Sequence, residues 1–68
     1  MRNMKFGQRL KQYRLRAGLT QKQVYQRTKL SAGFLSDVEN GKRSVSASTL
    51  KSLADVLGVT MDHLFTGR

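Results

Sequence analysis

Every apolar-periodic segment of this chain is opened by a serine or threonine or closed by a glycine, and proline is absent. A hydroxyl at a helix start accepts one of the N–H groups that has no partner within the helix. A glycine at a helix end takes the left-handed conformation that stops it. The chain is therefore cut into short helices before any packing is considered. Nowhere do β-branched residues alternate with polar ones over a strand's length, so the expected class is all-α.

The spacing predicts helix one from about Lys5 to Ala17, because Phe6, Leu10, Tyr13 and Ala17 recur at intervals of four, three and four and share one face. Gly18 stops it. Thr20 caps helix two, with Gln23 placed to return the hydrogen bond of a capping box, and that helix reaches about Thr28. Ser31 caps helix three, which buries Leu35 and Val38 and ends at Asn40, with Gly41 just beyond. Ser46 opens helix four, whose Leu50, Leu53, Ala54 and Leu57 follow the i, i+3, i+4, i+7 pattern up to Gly58. Thr60 begins a short fifth helix carrying Leu64 and Phe65. The expected core is Phe6, Leu10, Leu19, Val24, Leu30, Leu35, Val38, Leu50, Leu53, Leu57, Val59 and Leu64, which draws on every helix of one compact five-helix bundle. A chain of 68 residues is too short for a second core, so residues 1–68 are expected to form one domain. Without cysteine, packing alone must hold it.

Thirteen Lys and Arg against four Asp and Glu give a formal net charge of +9. Arg2, Lys5, Arg9, Lys11, Arg14, Arg16, Lys22, Arg27 and Lys29 all precede the first acid, Asp37. Such a field suits a polyanionic partner, or is simply a solvated face, and composition does not choose between them. No apolar run approaches the roughly 20 residues of a membrane span, and no apolar stretch of a secretory signal opens the chain. Together with the absence of cysteine, this points to a soluble, cytoplasmic protein.

Only Lys29 and Leu30 stand between helix two and the cap of helix three, so the two helices must meet steeply, as in a helix-turn-helix. There the second helix protrudes and its N-terminal half can enter a major groove about 12 Å wide, while the first lies across the backbone. With Leu35 and Val38 turned inward, Ala32, Gly33, Ser36, Asp37 and Asn40 occupy the outer arc and Phe34 its edge.

From Phe6 to Gly67 the chain resembles the Cro and lambda-repressor-like helix-turn-helix regulators, also called Xre-type. The likeness rests on Phe6-Gly7-x-Arg9-Leu10-Lys11-x-x-Arg14, Gly18-Leu19-Thr20-Gln21, Leu30-Ser31 with Phe34-Leu35-Ser36, and Val38-Glu39-Asn40-Gly41-Lys42-Arg43. Thr49-Leu50, Leu57-Gly58-Val59 and Leu64-Phe65 complete it. One such fragment is weak evidence; the ordered set is specific. The resemblance implies a prokaryotic or phage repressor that binds double-stranded DNA sequence-specifically, as a weak homodimer on half-sites about one helical turn apart. It implies phosphate contacts from Gln21, Asn40, Lys42 and Arg43, and base contacts from Ala32, Gly33 and Asp37, with Phe34 at the groove edge. Ser36 can bond a base edge of either kind, and Asp37 either accepts from a cytosine amino group or pairs with a nearby cation. Because Ala32 and Gly33 carry no hydrogen-bonding side chain, DNA shape is expected to supply much of the selectivity. The family often joins the positions of Arg14 and Glu39 by an ion pair, which is expected here.

Two positions depart from the pattern. Tyr25 stands where a small residue is usual, and Lys29 where glycine often is, which predicts positive φ at Lys29 and an ammonium near the DNA backbone. Other classes have less support. An enzyme would have to work with one histidine, no cysteine and no paired carboxylates, and His63 reads as a helix-face residue. No metal, cofactor or small-molecule ligand is implied. A basic amphipathic membrane binder is opposed by the many caps. An antitoxin-type module that binds a protein and also represses its own promoter is the alternative within the family. Val59, Met61 and Phe65 belong either to the core or to a homodimer surface, and Leu15 reads as an isolated exposed leucine.

Overall fold

The computed structural model describes residues 5–67, and among them it contains five helices and no strand: α1 (Phe6–Arg16), α2 (Gln21–Thr28), α3 (Ala32–Glu39), α4 (Ala47–Leu57) and α5 (Met61–Thr66). Arg2 of the basic half lies outside the described residues. Hydroxyl caps start four helices. Thr20 Oγ1 accepts the Gln23 N–H at 3.1 Å while Gln23 Oε1 accepts the Thr20 N–H at 2.8 Å, closing the capping box. Ser31, Ser46 and Thr60 accept from Phe34, Thr49 and His63 at 3.1, 3.2 and 3.0 Å. At α1 the preceding residue is Lys5, whose side chain has no oxygen to offer, and the Lys5 N–H donates to Gln8 Oε1 at 3.3 Å.

Three helix ends share one device. After α1 the Gly18 N–H closes on the Leu15 carbonyl and the Leu19 N–H on Arg14; after α3 Gly41 closes on Val38 and Lys42 on Asp37; after α4 Gly58 closes on Asp55 and Val59 on Ala54. Each is a Schellman turn, with glycine at a φ of 73° or 78° as its left-handed residue. Of the other two ends, α5 also stops on a left-handed glycine, Gly67 at φ 80°, whereas α2 ends on Lys29 at φ 62°, the one positive-φ residue other than glycine among those described.

Leu10, Val24, Leu35, Val38, Leu53, Ala54 and Leu64 are fully buried, so each helix gives at least one residue to the centre. The expected core was drawn too wide: Phe6, Leu19, Leu30, Leu50, Leu57 and Val59 are half-buried and pack around that centre. Ala54 belongs inside it, since a lone methyl fits where helices approach closely. Val59 and Met61 pack on the core, whereas Leu15 and Phe65 are exposed. Tyr25 lies half-buried against the core.

α1 packs against α3 and α5, α2 against α3 and α4, and α4 against α5. α1 and α3 approach closely at Gly7. A Cβ on Gly7 would run into the carbonyl oxygen of Val38 and lie 2.7 Å from that of Glu39. Two residues further on, Arg9 ties the same N-terminal part of α1 to α5, its Nη1 donating to the Phe65 carbonyl at 2.6 Å.

Gly7→Ala gains about 1 kcal/mol of helix propensity, but the collision with backbone should outweigh it, for a net loss of roughly 1–3 kcal/mol. At Gly33, with nothing within 4 Å of a Cβ, the same change should raise stability by about 0.8–1 kcal/mol. Urea denaturation of the two variants measures both signs. Lys29→Gly should stabilise by about 1 kcal/mol, because a left-handed L-residue costs roughly 1–2 kcal/mol and the extra unfolded-state freedom of glycine takes back part; a lower denaturation midpoint would refute the strain at Lys29.

Candidate nucleic-acid interface

Three helices meet on one carboxylate. Glu39, in the last turn of α3, receives Arg14 Nε of α1 on Oε2 at 2.7 Å and Arg14 Nη2 on Oε1 at 3.1 Å. Gln21 Nε2, at the start of α2, donates to the same Oε1 at 3.0 Å. Arg14 Nη1 also donates to the Leu19 carbonyl at 2.9 Å, which fixes the loop leading into α2. The Arg14 and Glu39 side chains are only 8% and 2% exposed, yet no buried side-chain polar atom among the described residues lacks a partner. The bidentate fork suits arginine, and a lysine could not reproduce it. The expected pair between Arg14 and Glu39 is thus formed, and it recruits Gln21 as a third member.

That cluster sets the attitude of α3. Leu35 and Val38 are sealed inward, while Ala32, Gly33 and Asn40 are exposed and Phe34, Ser36 and Asp37 are half-exposed on the outer side. Asn40 Nδ2 reaches Ser36 Oγ at 3.4 Å. Of the two roles open to Asp37, the structure shows pairing with a cation: Arg43 Nε lies 3.3 Å from Asp37 Oδ2. The Arg43 guanidinium also lies 5.7 Å from the centre of the Phe34 ring.

Around the protruding helix lie the candidates for backbone contact. Lys29 and Lys42 are exposed, one before α3 and one after it. Gln21 is half-buried, and only one hydrogen of its amide is engaged by Glu39. As the first residue of α2 it also has a main-chain N–H without an acceptor inside the helix, as does Lys22. The interface thus offers donors and cations flanking a helix tip with almost no side-chain bulk. Such an arrangement is chemically suited to holding a polyanion.

Residues 5–65 match the family described as helix-turn-helix domain. The chain belongs to the Xre-type helix-turn-helix regulators. It is 38% identical over 64 residues to the HTH-type transcriptional regulator DdrOP3 of Deinococcus deserti, covering 94% of this chain and 50% of that protein. It is 39% identical over 61 residues to the immunity repressor protein of Bacillus phage phi105, covering 90% and 42%. The chain therefore spans about half the length of these curated relatives. Among solved structures, the biofilm master regulator SinR in complex with DNA superimposes with a TM-score of 0.84 at 28% identity, over 88% of this chain and 97% of that one. These relatives are regulators of transcription.

In this Xre-type frame the sequence left three things unseen. The Gln21–Glu39 bond is hidden because it joins the start of α2 to the end of α3, 18 residues apart, through a contact that no local pattern marks. The close approach at Gly7 is the second; a glycine inside a helical pattern is the signal for it. The return of Arg43 onto Phe34 and Asp37 needed the direction of the turn at Gly41. His63, read as a helix-face residue, stacks on Tyr13 with ring centres 5.4 Å apart. Among the described residues no cluster of His, Cys, Asp and Glu could hold a metal, and no helix is long and apolar enough to cross a membrane.

Glu39→Ala strands a buried guanidinium and should cost about 3–5 kcal/mol. Replacing both partners, Arg14→Met with Glu39→Leu, should cost far less than the single change, since no charge is then left buried and unpaired. Denaturation midpoints of the single and double variants test this; an additive loss would mean that the pair is not coupled.

Proposed function

We propose that the chain is a DNA-binding domain of a cytoplasmic transcriptional repressor, a single-domain binding module rather than an enzyme, which lays the N-terminal half of α3 in the major groove of duplex DNA. The observation that carries this reading is the exposed tip at Ala32 and Gly33. With one methyl and one hydrogen as side chains, that tip lets the helix backbone come close to base edges, while the opposite face is locked to the core.

Gln21, Lys29, Asn40 and Lys42 grip phosphates on either side: the start of α2 through its amide and free N–H groups, the lysines through charge and counterion release. Such contacts orient the domain without reading sequence. Ala32 and Phe34 touch thymine methyls, and Ser36 bonds a base edge. Because Ala32 and Gly33 bring no donor, the deformability of the site carries much of the remaining selectivity. Two copies occupy half-sites about one helical turn apart as a weak homodimer. Phe65, 59% exposed and 6.2 Å from the Phe6 ring centre to centre, is an apolar surface suited to that association. Support for repression comes from the likeness to the phage immunity repressor, and support for duplex DNA from the complex in which SinR was solved.

Selection of bound duplexes from a random library at several salt concentrations tests the reading. Paired half-sites should be enriched, and with about six phosphates neutralised per copy the slope of log affinity against log salt should be near −5. Affinity indifferent to salt would overturn it.

A further inference from the structure

The resemblance groups Arg43 with the phosphate contacts, but its surroundings are those of the reading face. Gly41 adopts φ 78° and the Lys42 N–H closes on the Asp37 carbonyl at 2.8 Å, so the chain reverses after α3 and carries the next side chain back along the helix. There Arg43 Nε donates to Asp37 Oδ2 at 3.3 Å and the guanidinium carbon lies over the Phe34 ring, 5.7 Å from its centre. Phe34 and Asp37 are three residues apart and so are neighbours on one side of α3; Gly33, four residues before Asp37, shares it.

We infer that Arg43 reads a base, with Asp37 and Phe34 as the positioning residues that aim it, and that the base is a guanine. The inference rests on the DNA-binding reading above. An ion pair at side-chain exposures of 59% and 38% contributes little to folding. Its effect is instead to fix a long side chain against the reading face. With Nε committed to Asp37, no described protein acceptor takes Nη1 or Nη2. A guanidinium fork matches the O6 and N7 acceptors of guanine in the major groove, which a point-charge ammonium does not. The pairing also neutralises Asp37, whose free carboxylate would repel the phosphates on both sides. It supplies the donor that Ala32 and Gly33 lack.

Library selection with the unmodified protein, Arg43→Lys and Asp37→Asn distinguishes this role from a backbone contact. Arg43→Lys keeps the charge, so the salt slope should hold, while the preference for guanine at one position of each half-site falls by about 5- to 150-fold. Asp37→Asn should weaken the same preference to a smaller degree and raise affinity for all duplexes, because a negative charge is gone. Unchanged circular dichroism shows that both variants are folded. If Arg43→Lys lowers affinity equally at every position, or changes nothing, the assignment is overturned although DNA binding stands. If the unmodified protein enriches no sequence, the DNA-binding reading and the assignment fail together.

Discussion

The Glu39 carboxylate is the point on which this domain turns. Without it α1, α2 and α3 would be joined by close packing alone, which fixes distance better than it fixes angle. Hydrogen bonds to Arg14 and Gln21 are directional, so they set how α3 leans out from the bundle. A buried ion pair contributes little net stability. Here its effect is geometric: the helix that projects is held at its base by a buried pair that also engages the Leu19 carbonyl and the Gln21 amide. Gln21 links this scaffold to the surface, since the amide that satisfies Glu39 also stands at the exposed start of α2.

The Schellman turns do comparable work at the helix ends. In a chain this small, loops of a few residues must both stop a helix and aim the next one, and a left-handed glycine achieves both at low steric cost. After α1 the turn brings the Leu19 carbonyl onto Arg14; after α3 it carries Arg43 back over Phe34 and Asp37. The α2–α3 turn lacks such a glycine. Lys29 bears that conformation instead, accepting local strain in a place where a cation serves the surface.

Much of this architecture was legible in the residues because it is local. Caps at Thr20, Ser31, Ser46 and Thr60 and stops at Gly18, Gly41 and Gly58 are decided within a few positions, as is the positive φ of Lys29. The depth of the core was less legible: periodicity puts Leu50 and Leu57 on the inner face, but only the assembled bundle decides that Leu53 and Ala54 lie at its centre. Least legible were relations among three helices. Whether Gln21 bonds Glu39, or Arg43 folds back rather than extending, depends on distances that no spacing in the chain encodes.

Gly7 bears on how this molecule moves. At Gly7, main chain of α1 meets the carbonyls of Val38 and Glu39 in α3 with no side chain of its own to flex or change rotamer. The C-terminal turn of α3 consequently has no room to draw nearer to α1.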